Sequence, residues 1–155
     1  MNEAKHLVKS VHGRTMKDNG EIKPQFSFRI FPEPGLSRLY CKVNVWRNKQ
    51  EMHDYVEDVG FDGVVTGITV RDYRRGKRGQ TKPIFAEMQL SLERISERIV
   101  THELAHAMFC WMQRRKITTK ELENMEIEER CCWAITHMQD TILAQLKRRG
   151  IVYND

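Results

Sequence analysis

His102-Glu103-Leu104-Ala105-His106 lies inside a run of apolar periodicity that extends roughly from Leu92 to Arg115. That periodicity predicts a helix, and on a helix residues four apart stand above one another, about 6 Å apart along the axis. Two imidazoles so placed can converge on one ion at roughly 2.0–2.1 Å each, which is zinc geometry. Glu103 leaves the helix beside that point rather than on it, so its carboxylate can take a proton from a water that the ion activates. Ala105 puts a small residue between the ligands, and Leu104 faces away from them. A plainer reading stands beside this one. His102 and His106 also continue the stripe Ile95, Ile99, His102, His106, Phe109, and in that light they are ordinary buried histidines. A glutamate between two histidines on a buried face is what the plainer reading leaves unexplained.

Just before the motif, Ile84, Ala86, Met88 and Leu90 alternate and predict a strand that runs straight into Ser91. Ser91 is a candidate N-cap for the motif helix, with Glu93 in the first turn where the helix dipole favours an acid. Arg114-Arg115-Lys116 suits its C-terminus. A short loop through Thr118-Thr119 leads to a last helix from about Thr119 to Arg149, with the stripe Ile127, Cys131, Ala134, Ile135, Met138, Ile142, Leu146.

Toward the N-terminus, Phe26, Phe28 and Ile30 alternate with Ser27 and Arg29, a half-buried strand ended by Pro32 and Pro34. Leu39, Cys41, Val43 and Val45 alternate in a second strand. Met52, Tyr55, Val56 and Val59 recur at helical spacing, with Gly60 as a C-cap candidate. Val64-Val65 through Val70 reads as a third strand. Residues 3–12 suit a short helix, and Met16 to Lys23, with Asp18-Asn19-Gly20, a turn or loop. The expected class is α+β, in one domain spanning 1–155: a small mixed sheet, a long motif helix and a C-terminal helix.

The chain has 155 residues, enough to bury a core without staples, and 30% of them are charged, as in soluble globular proteins. Its apolar runs are too short to cross a bilayer, and Met1 to His6 carries no apolar signal core. Cys41, Cys110, Cys131 and Cys132 show no CxxC and no paired spacing, so they read as reduced thiols of a cytoplasmic protein. Arg71, Arg74, Arg75, Lys77, Arg78 and Lys82 form the one charge run, with Tyr73 inside it. A solvated hairpin loop accounts for it; so does a basic loop that grips phosphates, which the net charge of +5 allows.

His102-Glu103-x-x-His106 resembles the signature of the zincin metallopeptidases. The resemblance runs from Ile84 through the acidic start of the last helix, about the C-terminal half, and is specific only for the pentapeptide. A catalytic zinc site wants three protein ligands. The metzincin continuation is excluded, because Phe109 and Met112 stand where it needs Gly and His. Glu121, Glu123, Glu126, Glu128 and Glu129 instead look like a gluzincin, whose third ligand is a glutamate on the next helix. Helix geometry favours Glu128, which extends the apolar stripe backwards; Glu129 lies about 100° further round. His137 is the other alternative, as in the SprT-like repair proteases with three histidines.

The resemblance also implies a strand before the motif helix that lines the cleft and pairs with an extended peptide. Ala86, Glu87, Met88 and Gln89 occupy that place. The function it implies is hydrolysis of peptide bonds with Zn2+ on His102, His106 and Glu128 and with Glu103 as general base. The alternative is a zincin-like binding protein that holds a peptide without cutting it, or holds nucleic acid through loop 71–82.

Overall fold

Each alternating run becomes a strand where it finds a neighbour. The computed structural model describes residues 22–58, 67–70 and 83–152. In chain order these form β1 (Phe26–Ile30), β2 (Tyr40–Trp46), α1 (Lys49–Asp58), β3 (Gly67–Val70), β4 (Ile84–Ser91), α2 (Glu97–Arg114) and α3 (Met125–Arg148). A single 3-10 turn, Glu121–Glu123, precedes α3. The fold is α+β. The sheet has the order β1-β2-β4-β3, parallel between β2 and β4 and antiparallel in both outer pairs. The expected helix at 3–12, the loop from Met16 as far as residue 21, the C-cap Gly60, residues 64–66 of the third strand and the basic loop 71–82 lie outside the described residues.

The two sheet faces differ in chemistry because strand side chains alternate. Register sets Cys41 beside Ala86, Val43 beside Met88 and Val45 beside Leu90. All six are fully buried and share one core with Val100, Leu104 and Trp111 of α2 and Met138, Ile142 and Leu146 of α3. On the opposite face the rings of Trp46 and Tyr55 of α1 lie 5.0 Å apart, and Tyr55 Oη donates to Glu87 at 3.0 Å.

That second face carries a polar chain across three strands, buried at Asn44, Trp46 and Gln89 and exposed at Ser27. Gln89 Oε1 accepts from Trp46 Nε1 at 2.8 Å and from Asn44 Nδ2 at 3.1 Å; Asn44 Oδ1 accepts from Ser27 Oγ at 2.7 Å. A one-residue slip would throw these groups onto the apolar face, so the chain pins register. Gln89→Leu keeps the bulk but orphans two buried donors, at about 1–3 kcal/mol each. Because Gln89 Nε2 is itself buried without a partner, its loss returns part of that cost. The expected result is a lower urea midpoint with an unchanged m-value, equivalent to a net loss of about 2 kcal/mol.

Helix boundaries depart from the expected ones for reasons visible in the backbone. Ser91 is the last residue of β4, not the N-cap of α2, because Leu92 N still bonds to Trp46 O at 2.9 Å and continues the ladder. The chain must then turn off the sheet. Arg94 N bonds Ser91 O, and the cap is Ser96, at φ −148°, whose Oγ accepts from Ile99 N at 3.2 Å. Glu93 accordingly serves a different helix, accepting from Lys49 N at 2.9 Å at the start of α1. At the other end of α2, Lys116 takes φ 57° and Ile117 N returns to Met112 O at 2.8 Å. The last helix starts later than Thr119, capped by Asn124, whose Oδ1 accepts from Glu126 N at 2.9 Å.

Candidate functional site

α2 is buried along one side by Val100, Glu103, Leu104, Ala107, Met108, Cys110 and Trp111. Its other side is open. His102 and His106 are exposed, as are Gln113 and Phe109, the last with 59% of its surface accessible. The stripe Ile95, Ile99, His102, His106, Phe109 therefore turns outward after Ile99, and the histidines are not buried core residues.

The pair is close. Nε2 of His106 lies 3.2 Å from Nε2 of His102, with the rings edge to face at 4.9 Å between centroids. Two nitrogens bound to one tetrahedral zinc at roughly 2.0–2.1 Å sit about 3.3–3.4 Å apart, close to the separation of this pair. The same separation allows a single hydrogen bond between the rings, one imidazole donating to the other. The helix sets this geometry, since four residues advance about 6 Å and rotate about 40° past one turn.

Glu103 is only 3% exposed, on the flank of α2 that turns into the fold, and it engages a partner there. Leu104 packs into the core, facing away from the histidines as expected, and Ala105 is exposed. Beside His106 lies a cavity of about 420 Å³, walled by Phe109, Met112, Ile117 and Leu122 from the end of α2 and the turn after it. Its lining is mainly apolar side chains.

The third ligand is not gathered to the pair. Among the described residues, no three His, Cys, Asp or Glu side chains are grouped so as to hold a metal ion. Glu128 does not point to the core: it is exposed, as are Glu129 and His137. The buried line of α3 is Cys131, Ala134, Met138, Ile142, Leu146, and its backward extension is the half-buried Ile127, one residue from Glu128 and about 100° away. Glu121 closes the turn between the helices, accepting from Thr118 N at 2.5 Å.

The strand expected to receive a peptide is occupied on both sides. β4 pairs with β2 through one edge and with β3 through the other, so Glu87, Met88 and Gln89 are paired on both sides, and Ala86 pairs with Cys41 of β2. Among the described residues, β3 is the outer strand next to β4.

Two further features were not foreseen. Glu33, between Pro32 and Pro34, is buried and accepts from Nε of Arg130, while Arg115 Nη2 approaches it at 3.8 Å. The hydrogen bond to Glu33 raises the guanidinium of Arg130 above its ordinary value. This clamp ties the β1–β2 turn to both long helices. No local pattern announces it, because its members are about a hundred residues apart. Burial also pushes the thiols of Cys41 and Cys131 upward, so neither is a thiolate nucleophile at neutral pH.

No family model, curated protein or solved structure matches the chain. No helix among the described residues is long and apolar enough to cross a membrane.

Proposed function

We propose that the chain is a zinc-dependent metallopeptidase of zincin type, resembling the gluzincins in the acidic start of α3. The observation that carries this reading is the outward-facing pair His102 and His106, with Nε2 atoms 3.2 Å apart on one rigid helix. Those two side chains would hold the ion. Glu128, Glu129 and His137 are the candidates for a third protein ligand, all on α3. Bound zinc supplies Lewis acidity, polarising a carbonyl and making a water easier to deprotonate.

With zinc held there, Glu103 would take the proton from the attacking water and pass it to the leaving amine, which requires the water to reach its buried flank of α2 from the histidine side. The apolar cavity beside His106 receives a side chain of the substrate. An extended peptide pairs along β3, the outer strand among the described residues, not along β4. Four free cysteines, one of them exposed, favour a reducing compartment and hence the cytoplasm.

Elemental analysis of the purified protein tests the centre of this proposal. About one zinc per chain is expected in the parent, with the metal lost in His102→Ala and in His106→Ala. Even the loss of an outer-shell partner weakens metal binding roughly ten- to hundredfold, so loss of a direct ligand should exceed that. Glu128→Ala, Glu129→Ala and His137→Ala, measured alike, identify the third ligand by which one lowers the zinc content. A parent that takes up no zinc at neutral pH, even when zinc is offered, ends the proposal. Zinc uptake without cleavage of any member of a peptide library would assign the chain as a zincin-like binding protein instead.

A further inference from the structure

We infer that the cavity under the β1–β2 turn binds a nucleotide, either free or as a unit of a single strand. The cavity has a volume of about 650 Å³ and includes Arg29, Phe31, Leu36, Arg38, Tyr40 and Pro83 in its walls. That volume lies within the range of small-ligand sites, ~300–1,000 Å³. Its register places it away from the histidine pair: Arg29 sits opposite Lys42, on the α1 side of the sheet, while Cys41 and Val43 face α2 and α3. The inference therefore does not depend on the metallopeptidase reading.

Charge selects the ligand. Among the described residues, no aspartate or glutamate lines the cavity and neither Arg29 nor Arg38 makes an ion pair. Among the described acids, Glu33 is engaged with Arg130 and Arg115, and Glu87 with Lys42 and Tyr55. Two guanidinium groups without an ion pair among the described residues suit an anion, and their planar forks match phosphate oxygens.

Ring contacts select its other half. The guanidinium of Arg29 lies 4.6 Å from the Tyr40 ring centroid, and Phe31 lies 5.9 Å from Tyr40 at 51°. Leu36, 87% exposed, stands in the wall as an apolar surface for a base or sugar. It is carried there by a turn in which Gly35 adopts φ 78°, a conformation that side-chain-bearing residues rarely take. Aromatic rings interleaved with arginines are how sequence-tolerant single-strand sites are built, with stacking for the bases and cations for the backbone.

The test is a fluorescence-anisotropy titration of the full chain with a labelled oligothymidylate, and a parallel titration with ATP. The parent should bind at least one of the two probes. Arg29→Ala with Arg38→Ala should weaken that binding about tenfold or more and flatten its salt dependence. Tyr40→Leu should weaken it about fivefold or more, and Arg29→Lys with Arg38→Lys should fall between parent and alanine variant because charge stays while the fork is lost. Binding of ATP with the same variant dependence identifies a free nucleotide as the ligand; binding of the oligonucleotide alone identifies a strand. Both arginines are exposed, so circular dichroism should show the alanine variant folded; a variant that is not folded is replaced by the lysine pair, for which equality with the parent overturns the proposal. Parent protein that binds neither probe also overturns it. So does undiminished binding in the folded alanine variant, above all if Arg74→Ala, Arg75→Ala and Arg78→Ala together abolish it.

Discussion

On the metallopeptidase proposal, Glu103→Gln is expected to lower the rate of peptide hydrolysis by about 10²- to 10⁴-fold while leaving zinc content at the parent level. The substitution is nearly isosteric, so packing around a side chain that is 3% exposed stays as it was. What changes is proton affinity: an amide cannot accept the proton of the attacking water or hand it to the amine. The histidines sit on the exposed side of α2 and lose no ligand atom. A carboxylate with a merely structural role would behave differently, because its replacement would move the urea midpoint and leave the rate per folded molecule alone. Hydrolysis of a labelled peptide library, zinc content and a urea titration on the same preparation separate the outcomes. A folded, zinc-loaded Glu103→Gln protein that still cleaves at the parent rate would remove Glu103 from the chemistry.

Trp111→Ala is expected to cost about 3–5 kcal/mol of folding stability, a large share of the roughly 5–15 kcal/mol a domain of this kind has. Trp111 is fully buried in the core that joins the sheet, α2 and α3. Its loss leaves a void that a helix pinned against β4 and α3 cannot close. The indole Nε1 is buried without a hydrogen-bond partner, so Trp111→Phe sheds one unfavourable group as it sheds area. That second variant should cost less than about 1.5 kcal/mol. Urea denaturation measures both. The alanine variant should also hold zinc less well than the phenylalanine variant, since the histidine pair needs a fixed helix beneath it. Equal stability of the two variants would mean that the site collapses freely around the smaller residue.

Much of the fold is local chemistry and could be read from the chain. Phe26–Ile30, Tyr40–Trp46 and Ile84–Ser91 are strands where residues alternate, and Lys49–Asp58 and Met125–Arg148 are helices where the apolar spacing is helical. Cys131 is buried and Cys132 exposed, as adjacent helix positions require. The misreadings share one cause. Whether Ser91 caps a helix depends on how far Trp46 keeps offering its carbonyl, and whether β4 is an edge depends on β3 reaching it. Whether Glu128 faces inward depends on a rotation of about 100° that a stripe containing both Ala134 and Ile135 leaves ambiguous.

The amino-acid order alone determined that two imidazoles would stand one turn apart with a carboxylate after the first, because helix rise and rotation are properties of the backbone. Tertiary structure alone decided that this face looks outward, that Glu103 lies on the buried flank, and that the acids of α3 face solvent. It also decided that Arg29, Phe31, Arg38 and Tyr40 wall a common cavity. Each of these depends on which distant segment covers a given face or edge, and no periodicity within the segment itself encodes that neighbour.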